Sequence, residues 1–405
     1  MQTQILNLPS RLLRHVLVLI LFYLPFLLTI TNTSYATVPN NLPTTPDGST
    51  NTRVINAANG VPVVNIAAPD ASGISRNNFS DYNVNRIGQV LNNASTDVYG
   101  NGAVNTNIAG IVLTNPHLKG SAGANVILNS VTSNRITRIN GFTEIAGRKA
   151  DLIISNPNGI MINSGGFINT DRLSMIVGHE ISGSEANNLT GNAVNSSNLY
   201  FRLTSAPHLE SGFLPSLTIS GDGIDLTRVD RTEFAANLIR VNRGVYAGDN
   251  KVSFLTGDVL ERDKNPGRAG NDGAVSSITP PMSSSTSSDP LPTSSTSPNS
   301  NPSATTEDTS QIAIDVSSLS QIQAGNIFMI STKEGFGVRY SGSMIANLGE
   351  INIRANGDVD FEDFNSRSND FTANSNLSEI NILNSNIETS GDALEYAIEW
   401  IELKE

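Results

Sequence analysis

From residue 61 to about residue 256 the chain repeats one short phrase: a few apolar residues, then Gly, Asn or Asp. The apolar runs fall at 61–66, 110–113, 124–128, 151–154, 161–162, 173–177, 217–219, 237–241 and 252–255. Each has the length of a strand, is rich in Ile, Val and Leu, and is bounded by turn formers. A helical period of 3.6 is nowhere sustained in this stretch. Strands that recur with only a turn between them, and with little alternation of charge, match the stacked rungs of a parallel β-helix. In such a solenoid each inward apolar side chain stacks on its equivalent in the next rung, and the two ends need caps. Asn suits the corners because it tolerates positive φ and its amide bonds neighbouring backbone. A β-sandwich also shows many short strands, but the rung-like recurrence favours the solenoid. The expected class is therefore all-β.

Two turns stand out. Asn115-Pro116-His117-Leu118 follows the run 111–114, and Asn156-Pro157-Asn158-Gly159-Ile160 follows 151–155. Pro fixes its own φ and holds the preceding Asn extended, and Asn-Gly supplies the left-handed residues that follow. Two strands ending in the same unusual turn predict a repeated rung corner. The polar chemistry of the turn makes it a candidate for recognition as well as structure.

The pattern breaks in three places. At the start, Arg11, Arg14 and His15 precede an apolar stretch at 16–30, and a polar segment leads to Ser34-Tyr35-Ala36. This is the layout of a signal peptide over 1–36, cleaved after Ala36. The apolar run is shorter than the ~20 residues of a spanning helix, is interrupted by Pro25, and has no second of its length after it, so no stable transmembrane segment is expected. Residues 269–310 form a linker, from 276 onward almost wholly Ser, Thr and Pro, with little to bury. The β phrase resumes at 312–316, 327–330 and 351–353. In 392–405, Leu394, Ala397, Ile398 and Ile401 fall on one helical face among acidic residues, which predicts a helical tail.

Composition removes several functions. The net charge of −12 and pI of about 4.8 exclude nucleic acid as a partner, since phosphates require a basic surface. The chain has no cysteine, so there is no disulfide frame, thiol nucleophile or thiolate site. Beyond residue 36 the histidines are His117, His179 and His208, in separate turn-like contexts without metal-ligand spacing. No Gly-x-Ser-x-Gly elbow occurs. The acidic groups Asp222, Asp225 and Asp230, and Asp358, Asp360, Glu362 and Asp363, lack the spacing of a calcium loop and read as solvated loop charge. No catalysis, metal or cofactor is expected.

Further motifs point to a family. Asn77-Asn78-Phe79-Ser80-Asp81-Tyr82-Asn83-Val84 and Gly88-Gln89-Val90-Leu91-Asn92-Asn93 precede the two turns. Between and after them come Arg135-Ile136-Thr137-Arg138-Ile139-Asn140-Gly141, Gly221-Asp222-Gly223-Ile224-Asp225 and Val241-Asn242-Arg243-Gly244-Val245-Tyr246-Ala247-Gly248. In this order they resemble the N-terminal secretion domain of two-partner-secretion exoproteins of the filamentous-haemagglutinin and haemolysin type. The turns align with that family's paired NPNL and NPNGI motifs, with His117 where the family has Asn. Residues 313–316 and 331–339 resemble the segment that follows in haemagglutinin-like members.

The resemblance implies a right-handed single-stranded parallel β-helix with an N-terminal cap. It implies a secretion domain over 37–268 and a further β-helical haemagglutinin-like segment over 311–391. It also implies recognition by a cognate outer-membrane β-barrel transporter with periplasmic POTRA domains, export through the periplasm, and release or display at the cell surface. Asn115, Pro116, His117 and Leu118, with Asn156, Pro157, Asn158, Gly159 and Ile160, take the secretion motifs. The expected product is an adhesin, with a receptor on a host or neighbouring cell. The alternative is the targeting and stalk end of a contact-dependent growth-inhibition toxin or haemolysin, and a short independent exoprotein is a third reading.

Overall fold

The computed structural model describes residues 42–263 except 101, 192–194, 196–197 and 206–214; then 277–278, 311–391 except 377, 394–397 and 401–403. The signal segment with Ala36, most of the linker and His208 lie outside the described residues.

Three strands, one on each of three faces, make a rung. One rung runs Ala150–Ser155, Ile160–Ile162 and Phe167–Ile168. The next two begin with Thr170–Ile176 and Arg231–Ala235, and each first-face strand pairs in parallel with its successor. Parallel pairing in register stacks like on like. Ile154, Met175, Phe234, Phe254, Met329, Ile353 and Ala373 form one inward column across successive first-face strands. Ile139, Ile162, Ile219, Val241, Val316 and Tyr340 form another on the second face. Both columns belong to one continuous buried cluster. The chain is a β-helix, as its phrase of short apolar runs predicts.

Asparagine holds the corners. Asn163 donates to the Asn140 side chain at 2.7 Å, Asn376 to the Asn356 side chain at 2.8 Å, and Asn356 to the Thr332 carbonyl at 2.6 Å. Each amide replaces the ladder bond that the turn cannot make. Glycine is required where corners touch: a Cβ on Gly141 would lie 2.1 Å from the Asn85 carbonyl oxygen.

The N-terminal end is closed by antiparallel strands, which break the parallel template. Thr45–Pro46 lies on Ile74–Asp81, and Arg53–Asn56 lies on Pro62–Asn65.

Two excursions leave the solenoid. A hairpin, Ala103–Thr106 with Gly110–Leu113, packs Val112 and Val104 on the outer side of the third face. Its turn is pinned by buried Glu144, whose carboxylate accepts from the backbone N–H groups of Asn107 and Ile108 at 2.8–3.0 Å. An antiparallel cover sheet of Gly178–Ile181, Asn198–Leu203, Val259–Asp263 and Ser277–Ile278 seals the outside of the first face. Ile153 therefore faces Phe201, Leu203 and Leu260 in one outer cluster, while its neighbours Leu152 and Ile154 face the inner core. Burial on both sides is why 152–154 reads as an unbroken apolar run.

Four readings from sequence change. The solenoid does not stop at the Ser/Thr/Pro segment: Ile239, Arg240 and Val241 pair directly with Ile314, Asp315 and Val316, and 251–256 pairs with 326–331. The described strands before and after the segment are therefore direct neighbours in one stack. The helical tail is a correction, because Leu394–Ala397 is a strand in parallel register with 371–374. A backbone ladder offered by an open rung outweighs a weak helical period. The pattern also missed an eight-residue helix, Gly183–Thr190, which is capped by the Ser182 hydroxyl accepting from Glu185 N–H and ends at left-handed Gly191. Finally, the run 110–113 is no rung strand; it belongs to the hairpin.

Deleting 279–308 is expected to leave the far-ultraviolet spectrum unchanged and the melting midpoint within about 3 °C, since loop length enters closure entropy only logarithmically. A fall of more than about 10 °C would show that the segment carries packing.

Candidate functional site

The two Asn-Pro turns are not equivalent, which corrects the expectation of a repeated corner. Asn156 stands at a rung corner, after the first-face strand Ala150–Ser155 and before Ile160–Ile162. Asn115 instead follows the hairpin and brings the chain back to the solenoid, bridging in parallel to Ser95. Similar sequence arises from similar local chemistry, an Asx-type turn closed by proline, in two different places.

In both turns the asparagine faces inward and is fully buried. Asn115 Nδ2 donates to the carbonyls of Ile66 and Asn92, both at 2.9 Å, and its Oδ1 accepts from His117 N–H at 3.0 Å. Pro116 opens a short 3-10 turn, and Leu118 inserts into the main core. Asn156 Nδ2 donates to the Arg135 carbonyl at 2.9 Å and to Thr137 Oγ1 at 3.0 Å. Its Oδ1 accepts from the backbone N–H and the side-chain amide of Asn158, both at 2.9 Å. Gly159 has φ of 120°, open to glycine, and Ile160 is buried. What remains outward is Pro116, half of His117, and the edges of Pro157 and Asn158. His117 Nδ1 lies 3.3 Å from the Ile66 carbonyl, close to the same corner Asn115 binds.

The flanking motifs are drawn together. Asp81 accepts from Arg135 Nη1 at 2.7 and 2.9 Å, which joins the 77–84 stretch to the 135–141 stretch. Asp225 bonds its own loop at Thr227, and Asp360 accepts from Asn381 at 3.0 Å. Among the described residues no group of three or more His, Cys, Asp or Glu is placed to hold a metal ion. None of the described helices is long and apolar enough to cross a membrane.

Residues 43–361 match the TPS secretion domain family. The chain belongs to that family. As a TPS domain it is a targeting module of two-partner-secretion exoproteins, exported across the outer membrane, and it implies a partner transporter. Among curated relatives, the TPS region is 32% identical over 302 residues to the tRNA nuclease CdiA of Escherichia coli strain NC101, which covers 74% of this chain. It is 32% identical over 312 residues to the toxin CdiA of Yersinia pestis, covering 76% of this chain. The chain spans only 7% and 8% of the lengths of those two proteins. The crystal structure of the filamentous hemagglutinin secretion domain superposes with a TM-score of 0.61 at 22% identity, covering 87% of this chain and 98% of that one. That match carries the β-helix fold.

Sequence reasoning picked the turns but not the buried charges beside them. Arg262 of the cover sheet reaches Asp151 Oδ2 at 3.0 Å and lies 3.6 Å from Glu233 Oε2, and Arg172 lies 2.8 Å from Glu233 Oε1. Burial holds the Asp151 carboxyl above its usual value, against the pull of Arg262 and Arg172. Arg262 is lowered to about 10, chiefly by burial and then by neighbouring Arg172. The available signal was Asp151 next to an apolar run, a charge where a doubly buried strand has no room for one.

Proposed function

We propose that the Asn-Pro turns are read by the POTRA domains of the cognate transporter before the rungs close. The observation that supports this is the burial of Asn115 and Asn156 with their amides already engaged. A partner meeting the folded solenoid would find only Pro116, His117, Pro157 and Asn158. An extended chain presents every motif residue and free backbone for strand addition to a periplasmic partner. Once outside, the domain folds rung upon rung, each rung using its predecessor as template, and the absence of cysteine removes any covalent obstacle to threading.

The exoprotein led by this module acts as an adhesin at the cell surface, with its receptor on a host or neighbouring cell. A second reading is favoured by the relatives named tRNA nuclease CdiA and toxin CdiA. In it the chain is the export end of a contact-dependent growth-inhibition toxin whose active part lies in sequence of the kind the relatives carry beyond the matched region.

Co-expression with a cognate two-partner-secretion transporter tests the turn reading. Asn115→Ala with Asn156→Ala is expected to cut the secreted fraction at least about tenfold while precursor accumulates in the periplasm. Wild-type export of the double variant would sink the recognition role.

A further inference from the structure

The first two rungs carry several amides in their interior, whereas the inward columns of later rungs are largely apolar with single hydroxyls such as Thr232 and Ser366. On the first face the inward column begins with Asn77 and Asn129 before it turns to Ile154, Met175 and Phe234. On the third face it begins with Gln89 and Thr143 before Phe167. Tyr82, at the corner between the first two faces, sends its phenol into the same volume and packs its ring 4.9 Å from Phe79. Its hydroxyl faces both Asn129 and Gln89.

All four residues are at most 1% exposed: Tyr82, Gln89, Asn129 and Thr143. Within this cluster Tyr82 Oη, Gln89 Nε2, both amide atoms of Asn129 and Thr143 Oγ1 make no hydrogen bond of normal geometry to protein. The neighbouring cap side is satisfied. Asn77 Oδ1 accepts from Thr52 Oγ1 at 2.7 Å and Ala67 N–H at 2.8 Å, and Gln89 Oε1 accepts from Thr44 Oγ1 at 3.2 Å. These groups neighbour one another beneath the cap: Thr143 stands beside Gln89 in register, and Tyr82 reaches both Gln89 and Asn129. A buried amide left without partners costs about as much as a lost hydrogen bond. A water molecule with two to four such partners repays that cost.

We propose that the interior beneath the N-terminal cap is a binding site for ordered water, bridging Tyr82 Oη, Gln89 Nε2, the Asn129 amide and Thr143 Oγ1. The mixture suits water and no ion: the groups are neutral, and they offer both donors and acceptors. Burial pushes the Tyr82 phenol well above its ordinary value, against the pull of the Asn129 and Gln89 side chains, so the hydroxyl stays protonated and able to donate. The consequence is a water-holding first chamber, whose two rungs are complete only when cap and water are both in place.

The test is oxygen-17 magnetic relaxation dispersion on the folded full chain, which counts long-lived internal water. Tyr82→Phe with Thr143→Val removes two partners while keeping shape, and is expected to lower the count by at least one molecule relative to wild type. Asn129→Leu is expected to do the same. Thr232→Val, which removes a buried hydroxyl from another rung, is expected to leave the count unchanged. An unchanged count in the folded Tyr82→Phe/Thr143→Val protein overturns the proposal. So does high-resolution density in which the four side chains bond directly to one another with no water between them. If Asn129→Leu does not fold, the shape-conserving pair decides alone.

Discussion

Arg262→Ala is expected to destabilise the protein by about 3–5 kcal/mol, the range for removing one partner from a buried charge network. Arg262 and Asp151 are both wholly buried, and Glu233 beside them is 1% exposed. Truncating the arginine leaves Asp151 without its partner, in a site that already disfavours its charge. Glu233 is better protected, because Arg172 Nε at 2.9 Å and Ser174 Oγ at 2.5 Å also reach it. Arg262→Met combined with Asp151→Leu should therefore recover most of the loss, since replacing a buried pair by apolar groups is often neutral or better. Urea denaturation of the three proteins measures both steps. A single-variant cost below about 1 kcal/mol would mean that water reaches the pair. Arg262 belongs to the cover sheet and Asp151 and Glu233 to the solenoid, so the same variant should also raise exchange of the amides in 198–203 before those in 251–256.

Asn156→Ala is expected to cost about 2–4 kcal/mol of folding stability, because it strands several groups at once. The Arg135 carbonyl and Thr137 hydroxyl lose a donor, and Asn158 N–H loses its acceptor. Asn156→Asp separates these roles: it keeps an acceptor for Asn158 but sets a carboxylate oxygen against the Arg135 carbonyl. Equilibrium unfolding should place Asp below Ala at neutral pH, because a buried charge adds its desolvation to the lost donor. A cost under about 0.5 kcal/mol for Asn156→Ala would show that solvent or a shifted backbone satisfies the corner. Asn158→Ala, at a half-buried site, should cost less.

Much of the architecture was legible. Runs such as 151–154 and 252–255 carry the apolar signature of strands buried on two sides, and Asn and Gly between them mark corners. The family motifs were legible as well, because motifs such as Asn156-Pro157-Asn158-Gly159-Ile160 are contiguous. What misled was local similarity without topology. Residues 110–113 look like a rung strand, yet Ile111 and Leu113 are each 72% exposed on the hairpin. Leu394, Ala397 and Ile401 fit a helical face, yet 394–397 is a strand paired with the preceding rung.

The sequence by itself determined the rung. An apolar strand, a glycine or asparagine corner and another strand are decisions made within a few residues, by side-chain size, backbone freedom and amide chemistry. Only the tertiary structure decided which rung follows which, because register is fixed by contacts between residues distant in sequence. The pairing of 239–241 with 314–316 across the Ser/Thr/Pro segment is one such decision. The inward turn of Asn115 and Asn156, whose partners lie at Ile66, Asn92 and Arg135, is another. A polar residue next to proline reads as surface until the carbonyls that consume its amide are placed around it.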